Sequence, residues 1–409
     1  MSWRQIELGD YLEDGRISIQ TGPFGTQLKA SDYTSSGTPV VNVRNVGYGD
    51  LRPVKLEHVP DQVVSRLLQH ILQERDIVFG RKGAVDRHLL VSESEAGWMQ
   101  GSDCIRLRIL TDEIVPEFLS FALRLPRHRQ WMITQCSNKA TMASLNQDVI
   151  ARIPVKLPDP HMQISISSVL SSYDDLIENN RRRIQLFEQA ARLLYKEWFV
   201  HLRFPGHEHV KTVNGVPEGW ERSSVGLASS YISRGITPKY DEEAPGLVIN
   251  QKCIRHQRVD MALARRQSKA VPPDKAVRFG DVLVNSTGKG TLGRVAQFLA
   301  NVEDCTVDSH VTIARPTNDV PVHLYGHSIA SQEALLETMG RGATNQTELS
   351  KDTVAELPLL LPGKLLAAQF EQFAGQTAEQ VRNLMEQNER LAQARDLLLP
   401  RLMSEEIRV

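Results

Sequence analysis

The chain has 409 residues and a mass of 45.9 kDa, more than one ordinary hydrophobic core accommodates, so two domains are expected. Hydrophobic residues make up 41%, charged residues 24%, and the formal net charge is -1, which excludes a strongly basic chain while leaving room for local basic patches. Cys104, Cys136, Cys253 and Cys305 lie far apart with no C-x-x-C pair, against a disulfide framework or zinc site, and no apolar run reaches the roughly 18–20 residues of a membrane span.

The opening MSWRQIELGD lacks the apolar segment of a signal peptide, and a cytoplasmic protein without membrane attachment is expected. The first globular domain is assigned to residues 1–160. Short β-branched runs such as Pro39–Val43 and Asp76–Phe79, bounded by Gly, Asp and Pro, predict strands in an α/β (α+β) fold. Before them lies TGPFGTQLK (Thr21–Lys29), where Thr21, Gly22, Phe24, Gly25 and Lys29 combine a glycine-rich turn, an aromatic and a cation. That combination suits close backbone approach and phosphate contact. GRKGAVDRH (Gly80–His88) adds Arg81 and Lys82, PVVNVRNV (Pro39–Val46) adds Arg44, and SNKAT (Ser137–Thr141) adds Asn138 and Lys139. Asn and Gln can read adenine edges, while Arg and Lys read guanine or hold phosphate. The domain ends on RIPVKLPDP (Arg152–Pro160), extended and punctuated by proline.

A long helix is predicted over 161–200. Its apolar positions Ile166, Leu170, Tyr173, Ile177, Asn180, Ile184, Phe187, Ala191, Leu194 and Trp198 alternate spacings of four and three, the pattern of a coiled-coil seam. Residues 201–219 have turn residues and no periodicity, and are read as a linker. His201, His207 and His209 near Glu208 are read there as solvated loop histidines.

A second globular domain follows at 220–362. Its candidate contacts are Arg234 and Lys239 in SRGITPKY, Lys252 in LVINQKCI, and Asn285, Lys289 and Arg294 in NSTGKGTLGR. RGATNQT adds Arg341, Asn345 and Gln346. Last comes a helix predicted over 363–409, with a seam at Phe370, Ala374, Thr377, Val381, Leu384, Asn388, Leu391, Arg395, Leu398 and Leu402. Asn180 and Asn388 are the type of seam residue that fixes register at some cost in stability.

The halves repeat. At an offset of 204 residues, Leu145–Trp198 lies over Leu349–Leu402 without a gap, with identities that include Leu145/Leu349, Pro154/Pro358, Gln189/Gln393 and Leu194/Leu398. Upstream, RDIVFGRKGAV resembles GDVLVNSTGKG, and IRLRI (Ile105–Ile109) corresponds to VTIAR (Val311–Arg315). Each half is thus a globular domain followed by a long helix. The simplest pairing is an intramolecular antiparallel coiled coil, with a pseudo-two-fold axis and a domain at either end. A helix of about 40 residues spans about 60 Å, enough to hold two readers more than one turn of B-DNA apart.

Enzyme signatures are missing. GKG at Gly288–Gly290 has Leu283 where a phosphate loop needs glycine and Gly290 where it needs Ser or Thr. There is no Asn-Pro-Pro-aromatic methyltransferase motif and no acidic residue two positions before a lysine.

TGPFGTQLK, SLNQDVIARIPVKLPDPHMQ, ENNRRRIQLFEQAARLLYKEWF, PEGW (Pro217–Trp220) and ATNQTELSKDTVAELPLLLP with its closing helix together resemble the specificity subunit of type I restriction–modification systems. The resemblance implies two target-recognition domains, each reading half of an interrupted double-stranded DNA target. It implies helices that set the gap and dock two modification (methyltransferase) subunits, with restriction (translocase/nuclease) subunits joining. It also implies that this chain binds no cofactor or metal: S-adenosylmethionine, ATP and Mg²⁺ would sit on those partners. A coiled-coil scaffold without DNA readout and a degenerate nuclease or methylase are the competing readings.

Overall fold

The computed structural model describes residues 3–136, 143–340 and 348–407. It divides into two compact units, residues 1–179 with 387–409, and residues 180–386. The division falls inside each long helix, because each half-helix packs with the globular part of its own unit.

In the first unit the strands are β1 (Arg4–Glu7), β2 (Ile17–Thr21), β3 (Thr38–Val41), β4 (Tyr48–Gly49), β5 (Glu57–Val59), β6 (Ile77–Gly80), β7 (His88–Leu90), β8 (Met99–Gln100), β9 (Cys104–Ile109) and β10 (Pro154–Leu157). A five-stranded sheet has the order β2-β9-β6-β7-β4 and a three-stranded sheet the order β5-β3-β8. β6, at the centre of the larger sheet, is buried throughout and reads as an unbroken apolar run, as a strand covered on both faces must. β1 pairs antiparallel with β10, Arg4 opposite Leu157, so the proline-punctuated passage closes the unit onto its own first strand. The helices are α1 (Gly9–Leu12), α2 (Asp61–Arg66), α3 (Pro116–Arg124), α4 (Pro126–Cys136), α5 (Gln147–Ala151) and α6 (Pro160–Tyr195). α3 begins on Pro116, whose fixed φ suits a first helical position, and buries Phe118, Leu119 and Phe121–Leu123. These join Tyr11, Phe79, Ile105 and Leu107 in the main core, which Ile166 and Leu170 of α6 and Leu399, Leu402 and Met403 of the final helix complete.

The second unit repeats this plan. Its strands are β11 (Thr212–Val213), β12 (Val216–Pro217), β13 (Glu221–Ser224), β14 (Ser229–Arg234), β15 (Gly246–Ile249), β16 (Ile254–Arg255), β17 (Arg258–Val259), β18 (Arg265–Gln267), β19 (Val282–Asn285), β20 (Val295–Gln297), β21 (Cys305–Val307), β22 (Val311–Pro316) and β23 (Pro358–Leu361). The helices are α7 (Val322–Ala330), α8 (Glu333–Thr338), α9 (Lys351–Ala355) and α10 (Lys364–Leu402). The order β14-β22-β19-β20 matches β2-β9-β6-β7, β18-β15-β21 matches β5-β3-β8, and β13-β23 matches β1-β10. Even the mixed pairing is preserved: β3 and β15 each have one antiparallel and one parallel neighbour.

A buried ion pair is duplicated with the sheets. Arg108 donates to both carboxylate oxygens of Asp76 at 2.7 Å, and Arg315 to both of Asp281 at 2.8 and 2.7 Å. Each aspartate also accepts a backbone N–H, from Gln73 at 2.7 Å and from Arg278 at 2.8 Å. Residues 201–219, read as a linker with turn residues and no periodicity, contain a short hairpin whose turn residues Asn214 and Gly215 have φ of 51° and 75°, the conformation an Asn-Gly hairpin turn requires.

The seam positions of α6 are all buried or half-buried, from Ile166, Leu170, Tyr173, Ile177, Asn180, Ile184, Phe187 and Ala191 to Leu194 and, in the π-helical turn after α6, Trp198. The same holds in α10 from Phe370 through Val381, Leu384, Asn388 and Leu391 to Leu398 and Leu402. In the first unit the early turns of α6 pack with the late turns of α10. Asp174 there pairs with Arg395 and accepts from Arg124 Nη1 at 2.7 Å. The seam arginine is therefore a partner of the facing helix. In the second unit Tyr195 and Phe199 cluster with Ala367, Phe370 and Ala374 of α10 and with Leu324. Arg258 grips Glu188 there, with Nη2 at 2.6 Å from Oε2.

Candidate nucleic-acid interface

β2, β9, β6 and β7 alternate in direction, so the end of β2, the start of β9, the end of β6 and the start of β7 meet at one end of the sheet. Thr21 lies opposite Ile105, Gly80 opposite Cys104, and Phe79 opposite His88. Loops Thr21–Lys29 and Gly80–His88 therefore leave the same sheet end. Residues 143–147 close over it: the Leu145 N–H donates to the Arg81 carbonyl at 2.8 Å, and Gln147 Nε2 donates to Thr21 Oγ1 at 3.1 Å.

The second unit builds the same end. Arg234 lies opposite Thr312, Asn285 opposite Val311, and Val284 opposite Val295. The Leu349 N–H donates to the Ser286 carbonyl at 2.8 Å, as Leu145 does to Arg81 in the first unit. Likewise Arg81 N–H donates to the Asp103 carbonyl and Ser286 N–H to the His310 carbonyl, both at 2.8 Å. Three strand pairings and two loop hydrogen bonds are thus duplicated on two sheet ends.

Several candidate side chains stand clear on these ends. In the first unit Phe24, Gly25 and Lys29 are exposed and Arg81 is half-buried. Lys82 is exposed and sits 3.1 Å from Asp103 Oδ1. Arg44, on the 3-10 turn after β3, pairs with Glu57. In the second unit Lys239, Lys252 and Lys289 are exposed, and half-buried Arg294 donates to the Gly290 carbonyl at 2.8 Å.

Three sequence-based assignments are corrected. Gly22 is buried, and the backbone it approaches is the chain's own: its N–H donates to the Cys104 carbonyl at 2.9 Å, and an added Cβ would collide with the Gly101 carbonyl oxygen. Asn285 is fully buried and donates to the Gln251 carbonyl at 3.1 Å, so it braces the loop from beneath. Arg234 pairs with Glu348 and donates to the Leu349 carbonyl at 2.7 Å, which ties the sheet end to the closing segment. Thr21 is half-buried on Gln147. Asn138, Lys139, Arg341, Asn345 and Gln346 lie outside the described residues.

Some clusters near these ends escaped the sequence reading. Tyr48 carries Arg129 over its ring at 4.1 Å and Arg87 at 5.4 Å, and Arg129 Nη2 donates to its hydroxyl at 2.7 Å. β4 runs parallel to β7 with Tyr48 opposite His88, so this cluster, in which Asp86 accepts from Arg129 Nη2 at 2.9 Å, adjoins the same end. Tyr240, in the loop after β14, carries the Arg265 guanidinium 3.6 Å from its ring centre. Tyr48 on β4 and Arg129 on α4, like Tyr240 and Arg265 on β18, are far apart in sequence and give no periodic signal; only tertiary contact assembles them. Burial pushes the His88 imidazole down to about 3, with the Arg124 charge adding to the effect, so it is neutral against Ser120 Oγ at 2.9 Å.

Among the described residues no group of three or more His, Cys, Asp or Glu side chains could hold a metal ion, and no helix is long and apolar enough to cross a membrane. His207 contacts Glu208 and the Phe204 carbonyl, and His209 is exposed. The four cysteines are free and buried.

Residues 25–189 match the type I restriction modification DNA specificity domain. The chain is similar to the type I restriction enzyme HindI specificity subunit of Haemophilus influenzae, 22% identical over 90% of this chain and 94% of that one. It is also similar to the MjaIX specificity subunit of Methanocaldococcus jannaschii, 24% identical over 48% of each; the chain thus spans about half the length of that relative. In architecture it resembles the S subunit of a type I restriction–modification system from M. genitalium, with a TM-score of 0.59, 14% identity and coverage of 98% of this chain and 96% of that one. The first half of the chain thus carries a type I restriction modification DNA specificity domain, and the second half duplicates its architecture.

Proposed function

We propose that this chain reads a split double-stranded DNA target and contributes no catalytic group of its own. Each unit reads one half-target with the loops at its sheet end. The long helices set the gap and dock two modification subunits, and restriction subunits join that complex. S-adenosylmethionine, ATP and Mg²⁺ belong to those partners. The observation that carries this reading is duplication at the level of the loops: the same strand ends, closing segment and backbone anchors recur in both units. A scaffold that bound only proteins would need no second set of cationic loops. Exposed Lys29, Lys82, Lys239, Lys252 and Lys289 supply the charge for holding phosphate, even though the whole chain is close to neutral.

The test is equilibrium binding of the chain assembled with its modification subunits to duplexes from its own genome, titrated with salt. Affinity should fall steeply and linearly in log–log form as phosphate-bound counterions are released. A complex that binds no DNA, or binds independently of salt, contradicts the proposal. Cleavage or methylation by the purified chain alone contradicts its non-catalytic part.

A further inference from the structure

The loop Pro23–Leu28 presents one large apolar side chain to solvent at a fixed position. Phe24 is 60% exposed, the most exposed aromatic among the described residues. Its loop is fastened on both sides. Gly22 is packed on the Gly101 carbonyl and bonded to Cys104, and Pro23 is buried. Leu28 is buried with Val40, Val59 and Met99 beneath the three-stranded sheet, and the Lys29 N–H donates to Asp32 Oδ2 at 2.9 Å. Between Pro23 and Leu28 only four residues are free, and Gly25 at φ of 65° makes the turn. Phe24 thus stands on a short, braced loop five residues before Lys29, and that loop leaves the same sheet end as the loop carrying Arg81 and Lys82. A ring left in water is unfavourable for the free chain, and on a sheet end that also presents cations it suits a partner that offers both phosphates and apolar surface. DNA is such a partner, through its backbone and through base faces and thymine methyl groups.

The second unit places an aromatic in the matching loop. Gly235, like Gly22, approaches a carbonyl of its own chain, here Val307. Five residues later Tyr240 is 43% exposed, with Arg265 over one face. There ring and charge are adjacent.

We propose that Phe24 is a specificity-determining residue that makes apolar contact with a base in the half-target read by the first unit, while the neighbouring cations hold phosphate; Tyr240 is its counterpart in the second unit. This rests on the DNA-reading function proposed above. An apolar base contact carries sequence discrimination without releasing a counterion, whereas a phosphate contact does the reverse.

The test uses the chain assembled with its modification subunits and duplexes carrying the target found by mapping its methylated sites. For Phe24→Ala, target affinity should fall roughly 5- to 150-fold, with discrimination lost at a position in one half-target only and an unchanged salt slope. Phe24→Trp should retain much of the affinity, and Lys29→Ala should lower the salt slope while leaving base discrimination intact. Because Phe24 is exposed, thermal unfolding of Phe24→Ala should match the parent. If the parent complex discriminates its target and Phe24→Ala does so equally at every position, this inference falls while the DNA-reading function stands. A uniform loss with a shallower salt slope also overturns it. If the parent complex shows no sequence-specific binding, the underlying function fails and takes this inference with it.

Discussion

Replacing Asp76 with alanine removes one half of an ion pair that the structure uses twice. Asp76 is almost wholly buried and accepts two hydrogen bonds from Arg108 and one from the Gln73 backbone, all at 2.7 Å. In Asp76→Ala the Arg108 guanidinium keeps a 3.3 Å contact to the Ile71 carbonyl but loses its counter-charge, and the Gln73 N–H loses its acceptor. Removing one partner of a buried pair typically costs about 3–5 kcal/mol, because the charge left behind is uncompensated. For a unit of this size each kcal/mol shifts the midpoint by about 2–4 °C, so a drop of about 6–20 °C is expected. Calorimetry can read it, since Asp76→Ala should lower the transition of the first unit and Asp281→Ala that of the second. The double change Asp76→Leu with Arg108→Met should recover most of the loss, because an apolar pair of similar volume needs no counter-charge. A drop of less than about 1 kcal/mol would refute the reasoning, placing this pair with solvent-screened surface bridges.

Further changes test the loops and the core. Gly22→Ala forces a methyl group against the Gly101 carbonyl, so it should displace the Thr21–Lys29 loop and abolish discrimination in one half-target, as binding to half-target variants would show. Lys82→Ala should lower the salt slope of DNA binding by about 0.9, whereas Asp103→Asn, which releases Lys82 from its 3.1 Å ion pair and removes a negative charge, should tighten binding at low salt. His88 is held neutral with its pKa lowered to about 3, so the unfolded chain takes up a proton below about 6.5 that the folded chain refuses. Its contribution is therefore complete above about pH 6.5 and declines as pH falls toward about 3, by up to about 1.4 kcal/mol per pH unit. Denaturant midpoints of His88→Gln across this range should show a shallower pH slope than the parent; equal slopes would contradict the assignment.

Much of the fold could be read from sequence where a period or a repeat carried it. The alternation of four and three along α6 marked positions that all fall on the inner side, because helical geometry alone fixes which residues share a face. The gapless offset from Leu145 to Trp198 covers α5, β10 and α6, whose counterparts are α9, β23 and α10. The charge of Arg395 at a seam position has no local explanation, because its partner Asp174 lies 221 residues away, beyond any local pattern. The candidate interface was only partly readable for the same reason. Lysines such as Lys239 and Lys289 announce exposed loops, but a composition-based reading cannot tell an Asn that faces solvent from Asn285, which braces the Gln251 carbonyl. Nor can it tell a free arginine from Arg234, committed to Glu348 and Leu349. The glycine signal was real at Gly22, yet it reported an approach within the chain.

The most direct measurement is a map of DNA methylation in the source genome, made with this chain present and with it deleted. If two units read one interrupted target, the chain-dependent sites should share two short specified blocks separated by a gap of constant length, and Gly22→Ala and Gly235→Ala should each relax a different block. Sites with a single continuous block, a gap of variable length, or a map unchanged by deleting the chain would contradict it.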